Sequence, residues 1–270
     1  MAENDVMDKM QSAYKERHST ETALLRVHND ILLSLDKGFG VLLVLLDLSA
    51  AFDTVDHELM LSFLDSFVGV KDIALQWFRS YLTERSQCET LGGIMSELEA
   101  LLHGVPQGSV LGPLAFCIYT LSLRKIIEYY GLSYHIYADD TQIYLRCDPL
   151  NPIPALNKIQ ECISDIRAWM INNKLKINDS KTEFLVLSQT RFQSKFTTLE
   201  LEIGNCSIKP STSACYLGVV FELCVSMDKQ ITNIIRSTYL HLRNIGSIFH
   251  LLTQRATEKL AHALVTSRID

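Results

Sequence analysis

The sequence predicts an α+β fold, and three observations lead to this prediction. An unbroken apolar run, VLLVLL at 41–46, is typical of a strand that is buried on both faces of a sheet. The segment HIYADDTQIYL at 135–145 has alternating apolar residues on either side of two aspartates, which predicts a hairpin with the aspartates at or near its turn. Apolar residues recur at helical spacing before, between and after these segments, so helices would pack on a small sheet.

The first predicted helix follows Ser19, whose hydroxyl would cap it, and Glu21 would face the positive end of its dipole. Lys37-Gly38 ends this helix just before the apolar run. Its apolar stripe consists of Leu24, Val27, Ile31 and Leu35.

A second helix would be capped by Asp53 or Thr54, after Asp47 has ended the buried strand. The buried stripe of that helix would be Val55, Leu59, Phe63 and Phe67. A further helix is predicted over 73–82, and short strands around Gly92-Gly93.

The second half begins with GVPQGSVLGP at 104–113, a loop that leads into an apolar helix near Leu114 to Leu123. After the hairpin come strands at 183–187 and around 215–221, and then two helices. A helix between the hairpin and the first of these strands has the stripe Leu156, Ile159, Ile163, Ile166 and Trp169. The two closing helices carry Ile231, Ile234, Ile235, Leu242 and Ile245, and then Leu260 and Leu264. This order predicts a mixed unit over 1–222 and a helical unit over 223–270.

The composition predicts a globular intracellular protein of the nucleus or cytoplasm. Hydrophobic residues make up 47% and charged residues 21%, and the longest apolar run is too short to span a bilayer. The polar N-terminal segment 1–10 does not resemble a signal peptide. The seven cysteines lack Cys-x-x-Cys and zinc-ligand spacing, so we expect reduced, mostly buried thiols.

The net charge of −6 argues against a nucleic-acid-binding protein, because phosphate contacts need basic side chains. The charge is unevenly distributed: residues 223–270 carry 6 Lys and Arg against 3 Asp and Glu. Only this C-terminal segment is therefore predicted to favour phosphate.

Three aspartates are candidate metal ligands. Asp47 follows the buried strand and Asp139-Asp140 lies in the hairpin, so the strands could bring hard oxygen ligands for divalent ions together. Because side chains alternate along a strand, Asp139 would face Asp47 and Asp140 would be secondary. Two alternatives remain: Asp139 and Asp140 could simply be residues that favour a hairpin turn, and Asp47 could cap a helix.

Three sequence segments, two of which contain these aspartates, resemble motifs A, B and C of reverse transcriptases, in particular of the non-LTR (LINE-type) retrotransposon family. They are DLSAAFD at 47–53, GVPQGSVLGP at 104–113 and YADD at 137–140, in the family's order. LKINDSKT at 175–182 resembles motif D, and YLGV at 216–219 resembles the primer-grip motif E.

The resemblance implies a polymerase palm with a small antiparallel sheet backed by helices, followed by a partial helical thumb. It also implies that Asp47, Asp139 and Asp140, with the carbonyl of Leu48, bind two Mg²⁺ ions, for which Mn²⁺ could substitute. Lys181 would assist near the triphosphate, although an exposed strand-edge lysine is an alternative.

Nucleotide binding is implied for Phe52, Gln107 and Gly108. Phe52 would exclude a ribose 2′-hydroxyl, with a core phenylalanine as the alternative. Gln107 and Gly108 would contact the template and the nascent base pair, with a plain turn as the alternative.

The resemblance further implies that an RNA template and a DNA primer are the partners and that deoxynucleoside triphosphates are the substrates. No association with a membrane is expected. Tyr216, Leu217 and Gly218 would hold the primer, although Tyr216 and Leu217 could equally be core residues. The thumb would use Lys229, Arg236 and Arg243, for which solvated helix faces are the alternative. No oligomeric state is predicted.

The chain departs from the family pattern at its N-terminus. Only QSAYKERHST at 11–20 resembles the fingers region, and Ala13-Tyr14 stands where Gly-Phe is expected. We therefore expect partial fingers and palm over 1–222 and a partial thumb over 223–270. Two hypotheses follow: a Mg²⁺-dependent RNA-directed DNA polymerase, or an inactive remnant that at most binds nucleic acid or protein.

Overall fold

A computed structural model of the chain describes residues 8–204 and 206–269. Most of the predicted N-terminal polar segment, residues 1–7, lies outside the described residues, as does the last residue. The chain divides into two compact units between Ser211 and Thr212. The predicted domain boundary at 222/223 falls within the second unit and stays a prediction.

The first unit combines six helices with ten strands among its described residues. Its helices are α1 (Thr20–Asp36), α2 (His57–Phe63), α3 (Asp72–Leu82), α4 (Leu111–Tyr119), α5 (Leu123–Tyr129) and α6 (Ile153–Asn172). Its strands are β1 (Gly40–Leu46), β2 (Arg85–Gln87), β3 (Thr90–Leu91), β4 (Ile94–Met95), β5 (Glu99–Leu101), β6 (Ser133–Tyr137), β7 (Asp140–Cys147), β8 (Glu183–Leu187), β9 (Leu201–Ile203) and β10 (Cys206–Ile208).

The main sheet has four antiparallel strands in the order β6-β7-β1-β8. The apolar run forms β1 between β7 and β8, and all seven residues of β1 are buried. The core around the sheet also includes side chains of α4, α6 and β8. The predicted strand that is buried on both faces is thus confirmed.

Helix α1 begins as predicted. Ser19 Oγ accepts a hydrogen bond from Thr22 N, and Thr22 Oγ1 accepts one from Ser19 N, which completes a capping box. The helix ends at Asp36, next to the predicted Lys37-Gly38 stop. Its buried stripe is Ala23, Val27, Ile31 and Leu35, with Leu24 half-buried.

The predicted start and buried face of α2 are wrong. Asp53 and Thr54 lie in a turn, where both backbone N–H groups bond to Ala50 O. The cap is instead Asp56, whose Oδ1 accepts from Leu59 N at 2.9 Å. The helix therefore starts at His57 and widens into a π-helical turn over Leu64–Val68. The buried side chains of the helical residues are His57, Met60, Leu61 and Leu64. Of the predicted stripe, only Val55, which precedes the helix, is fully buried; Leu59 and Phe63 are half-buried and Phe67 is exposed.

The apolar helix after the glycine-rich loop begins at Leu111 and ends at Tyr119, not near Leu114 and Leu123. Gly112 and Pro113 fall in its first turn. Backbone N–H groups in a first turn have no partner within the helix, so a proline there removes no helical hydrogen bond. Leu123 begins α5 instead. Helices at 72–82 and 153–172 and the hairpin strands around Gly92-Gly93 agree with the predictions.

The second unit contains the strands β11 (Ser213–Tyr216) and β12 (Val219–Glu222) and the helices α7 (Asp228–Ile248) and α8 (Gln254–Leu264). The predicted single strand around 215–221 is therefore a hairpin. Its turn is Leu217-Gly218, with φ of 47° and 82°, and Tyr216 pairs with Val219 across it.

All seven cysteines are free thiols, but the expectation that most are buried is wrong. Cys117, Cys147 and Cys162 are buried; Cys88 is partly exposed, and the other three are exposed. In the described part of the chain, no helix has the length and apolar character needed to cross a bilayer.

Candidate active site

The register of the sheet brings three aspartates to one of its ends. Leu46 pairs with Thr141, so Asp47, the next residue, lies opposite the beginning of β7 at Asp140. Tyr137 pairs with Asp140 and leaves Ala138-Asp139 as a two-residue turn. The predicted hairpin is confirmed, but Asp139 lies in the turn. The alternation of side chains along a strand, from which Asp139 rather than Asp140 was expected to face Asp47, therefore does not apply to Asp139.

The three carboxylates influence one another. Burial, followed by the charges of Asp139 and Asp47, raises the pKa of Asp140 to about 6. Burial and the charge of Asp47 also raise the pKa of Asp139. Three like charges thus converge where solvent screens them incompletely, and a cation at this end of the sheet would relieve their repulsion.

The raised pKa of Asp140, caused first by burial and then by repulsion, predicts how the stability of the metal-free protein depends on pH. With a carboxyl pKa of 3.8 when unfolded and about 6 when folded, the native state binds more protons between these values. The contribution of Asp140 to stability is therefore lost as the pH rises through this window. Asp140→Asn should raise the free energy of unfolding by about 1 to 2 kcal/mol at pH 7, after discounting for partial exposure.

Urea denaturation of both proteins at pH 4 and pH 7, with a chelator present, measures this difference. The gain from Asp140→Asn should be small at pH 4 and reach its full value by pH 7. An equal gain at the two pH values would contradict this explanation, because a protonated carboxyl neither suffers from burial of a charge nor repels its neighbours.

Asp47 is held by backbone pairing with the segment that resembles motif D. Asn178 N donates to Asp47 O and Ser49 N donates to Lys176 O, both at 2.9 Å. These bonds flank the antiparallel pair Leu48–Ile177, so the pairing leaves the carbonyl of Leu48 unused.

The same pairing brings Lys181 to the carboxylates. Its Nζ lies 3.8 Å from Asp47 Oδ2, and 69% of the lysine side chain is exposed. Asp47 Oδ2 is buried and accepts no hydrogen bond from the described residues. Lys181 is thus both an exposed lysine and a neighbour of Asp47.

The chemistry of these groups fits Mg²⁺ or Mn²⁺, which prefer carboxylate and carbonyl oxygens. Asp47 Oδ2 is an oxygen that such an ion would satisfy. Within residues 8–204 and 206–269, however, no three His, Cys, Asp or Glu side chains form a group compact enough to hold an ion. The oxygen donors are of the type that Mg²⁺ and Mn²⁺ prefer, but the side chains are not already arranged around an ion.

Phe52 and the loop at 104–108 lie beside one another. The Phe52 ring is half-buried and tilted against that of Phe116, with centroids 4.6 Å apart. Gly104 has φ of 86°, and a Cβ there would lie 3.0 Å from the Asp53 backbone, so only glycine lets the loop pack this closely. Gln107 Nε2 donates to Asp53 Oδ1 at 2.7 Å.

The loop borders a cavity of about 470 Å³, to which Asp53, His57, Arg85, His103 and Gln107 contribute. Gly108 has φ of 77°, and a Cβ there would meet no atom within 4 Å, so its backbone is open to approach by a ligand. The loop thus exposes Gln107 and Gly108, two of the three residues that were predicted to bind nucleotide.

The predicted primer-binding residues lie in the second unit. Tyr216 is buried, and the hairpin turn consists of the half-buried Leu217 and the exposed Gly218. Lys229 Nζ donates to Ser213 Oγ at 2.9 Å. Arg236 and Arg243 are exposed and follow Lys229 at seven-residue intervals, so the three lie along one face of α7.

A family model for reverse transcriptase (RNA-dependent DNA polymerase) matches residues 2–221. The chain belongs to this family. Among its relatives, a probable RNA-directed DNA polymerase from transposon BS of Drosophila melanogaster is 26% identical, over 96% of this chain and 28% of the relative. An RNA-directed DNA polymerase from mobile element jockey of Drosophila funebris is 26% identical, over 84% of this chain and 24% of that protein. The predicted LINE-type retrotransposon family is confirmed, and this reverse transcriptase chain spans about a quarter of these relatives.

Solved structures confirm the fold. Apo telomerase from Candida tropicalis, truncated from its C-terminal domain, superposes with a TM-score of 0.55 at 13% identity, covering 82% of this chain and 40% of that one. Telomerase from the same species with a fragment of telomeric RNA gives 0.54 at 12% identity, covering 96% and 42%. The α+β reverse transcriptase fold predicted from the sequence is therefore correct.

Two residues of this reverse transcriptase domain contact predicted site residues or the hairpin turn, and the sequence did not predict these contacts. Asp53 was predicted as a helix cap, yet its carboxylate accepts a hydrogen bond from Gln107. Gln11 is buried, and its side chain bonds to Ala138 in the hairpin turn. No local pattern marks either contact, because each joins segments more than 50 residues apart.

Proposed function

We propose that this reverse transcriptase domain carries the nucleotidyl-transfer site of an RNA-directed DNA polymerase that adds deoxynucleotides to a primer 3′-hydroxyl. The observation that supports this most is the meeting of Asp47, Asp139 and Asp140 at one end of the sheet. The partners would be an RNA template, a DNA primer and deoxynucleoside triphosphates.

The carboxylates of Asp47, Asp139 and Asp140 and the carbonyl of Leu48 would hold two Mg²⁺ ions. When bound, such ions lower the pKa of the primer hydroxyl and neutralise charge on the triphosphate. The carboxylates would also orient the attacking oxygen, because all three lie at one end of two paired central strands, which hold them in place.

In the proposed reaction, the primer 3′-oxygen attacks the α-phosphorus and pyrophosphate leaves. Lys181 stands 3.8 Å from Asp47 and keeps most of its side chain in solvent, so its ammonium can turn towards the triphosphate. There it would stabilise the charge that develops on the leaving pyrophosphate or donate a proton to it.

The nucleic acid would be held by three further groups of residues. Gln107 and Gly108 would contact the template and the nascent pair from the loop, and Tyr216, Leu217 and Gly218 would hold the primer. The face of α7 that carries Lys229, Arg236 and Arg243 would bind backbone phosphates, so affinity should fall as salt rises.

Phe52 would select deoxynucleotides by occupying the space that a 2′-hydroxyl needs. Phe52→Val opens this space and should increase ribonucleotide incorporation relative to deoxynucleotide by about 10- to 100-fold, as expected for changes in pocket shape. Single-nucleotide extension with matched triphosphates measures the ratio. If Phe52 serves only the core through Phe116, the variant will lose stability without changing the ratio.

Primer extension tests the proposed function directly. The purified chain is mixed with a labelled DNA primer on an RNA template and all four deoxynucleotides, with Mg²⁺ or with a chelator. Extension should require the ion and the template. Template-directed extension that continues undiminished with a chelator present, or after Asp139→Asn, would contradict the proposed site.

The inactive remnant is the second candidate. The net charge of −6 favours it, as does the lack, among the described residues, of three side chains already arranged around an ion. Salt-dependent binding to the primer–template with no extension at any Mg²⁺ or Mn²⁺ concentration would support this candidate over the polymerase.

A further inference from the structure

We infer that Gln11 is a positioning residue of this site: its side chain clamps the turn that carries Asp139. The effect of Gln11 on catalysis rests on the proposed function. The hydrogen bonds between its side chain and the turn can be tested without measuring activity.

The backbone around Gln11 runs along the edge strand of the sheet. Ser12 N donates to Ile136 O at 3.0 Å, and Ile136 N donates to Met10 O at 2.9 Å. These two bonds form a parallel bridge between Gln11 and Ile136. Residues that precede the first helix therefore pair with β6, the first strand of the hairpin that carries Asp139.

The Gln11 side chain extends this pairing into the turn. Its Oε1 accepts from Ala138 N at 3.1 Å, and its Nε2 donates to Ala138 O at 3.3 Å. The same Oε1 accepts from Ala13 N at 2.9 Å, which fixes the orientation of the amide. Gln11 is 3% exposed, so these bonds are shielded from water.

Ala138 needs such support. Its φ is 59°, a left-handed conformation that is strained for alanine and that glycine adopts freely. As a turn residue, it has no cross-strand partner in the hairpin register. The glutamine amide supplies both a donor and an acceptor, and it therefore stabilises the turn conformation on which the direction of the Asp139 side chain depends.

Gln11→Met tests the clamp because methionine has a similar shape and neither amide group. Ser12→Ala is the matched control: it lies on the same bridge and is equally buried, but its hydroxyl contacts His135 in β6 rather than the turn. Hydrogen exchange of the Ala138 amide, measured by NMR, reports on the turn without requiring activity.

We expect Gln11→Met to speed exchange at Ala138 at least tenfold and to weaken Mn²⁺ binding about three- to tenfold. In primer extension, kcat should fall about tenfold while KM for deoxynucleotide changes little. Ser12→Ala should leave all three readouts near wild type.

Unchanged exchange at Ala138 in Gln11→Met, or equal effects of Ser12→Ala, would overturn the inference. If Gln11→Met does not fold, combining it with Ala138→Gly removes the backbone strain from the turn, because glycine adopts this φ freely. Amide exchange at residue 138 no faster in the double variant than in Ala138→Gly alone would count equally against the clamp. A wild-type chain that extends no primer would refute the proposed function, yet the exchange result would still decide whether Gln11 holds the turn.

Discussion

Replacing Asp139 with Asn should slow primer extension by at least about 10³-fold, which is the largest effect on activity expected for this chain. An amide oxygen is a weak ligand for Mg²⁺ and carries no charge to offset that of the ion. The variant should melt at the same temperature as wild type or higher, because the change removes repulsion from Asp47 and Asp140. Single-turnover extension and thermal melting separate the two effects.

Asp36→Asn is the control, since Asp36 is exposed at the end of α1 and contacts none of the three aspartates. It should extend the primer at the wild-type rate. An Asp139→Asn protein within tenfold of wild type would show that the chemistry does not depend on this carboxylate.

Phe116→Ala should cause the largest loss of stability, about 3 to 5 kcal/mol in the free energy of unfolding. Phe116 is fully buried in α4, so truncation leaves a cavity, and it also removes the ring on which Phe52 rests. Sugar discrimination should therefore weaken together with stability. Urea denaturation followed by circular dichroism measures the first effect, and single-nucleotide extension measures the second.

Phe67→Ala provides the comparison, because this ring is 40% exposed on the π-helical turn. Its loss should cost less than about 1 kcal/mol, mainly through the contact with Lys125. Equal losses from the two substitutions would mean that the packing around Phe116 is not close.

The sequence predicted the parts of the fold that depend on local pattern. The apolar run of β1, the alternation on either side of Asp139-Asp140 and the hydroxyl of Ser19 each produced the expected element, because burial and capping act over a few residues. The family resemblance placed these elements in a reverse transcriptase fold, which the comparisons bear out.

The errors arise where neighbouring residues compete for the same role. Asp53, Thr54 and Asp56 can all cap a helix, and the choice depends on a turn that uses the backbone of the first two. The contact between Lys181 and Asp47 could not be predicted from spacing, because it depends on pairing between segments about 130 residues apart. The hydrogen bonds between Gln11 and Ala138 could not be predicted for the same reason.

The position of β1 at the centre of the sheet has a consequence for biosynthesis. Its partner β7 lies about 100 residues further along the chain, and β8 about 140. At translation rates of about 5–20 residues per second, this apolar strand leaves the ribosome about 5 to 20 seconds before its first partner exists. During that interval it presents two unpaired edges, which is the condition under which nascent chains aggregate or recruit chaperones.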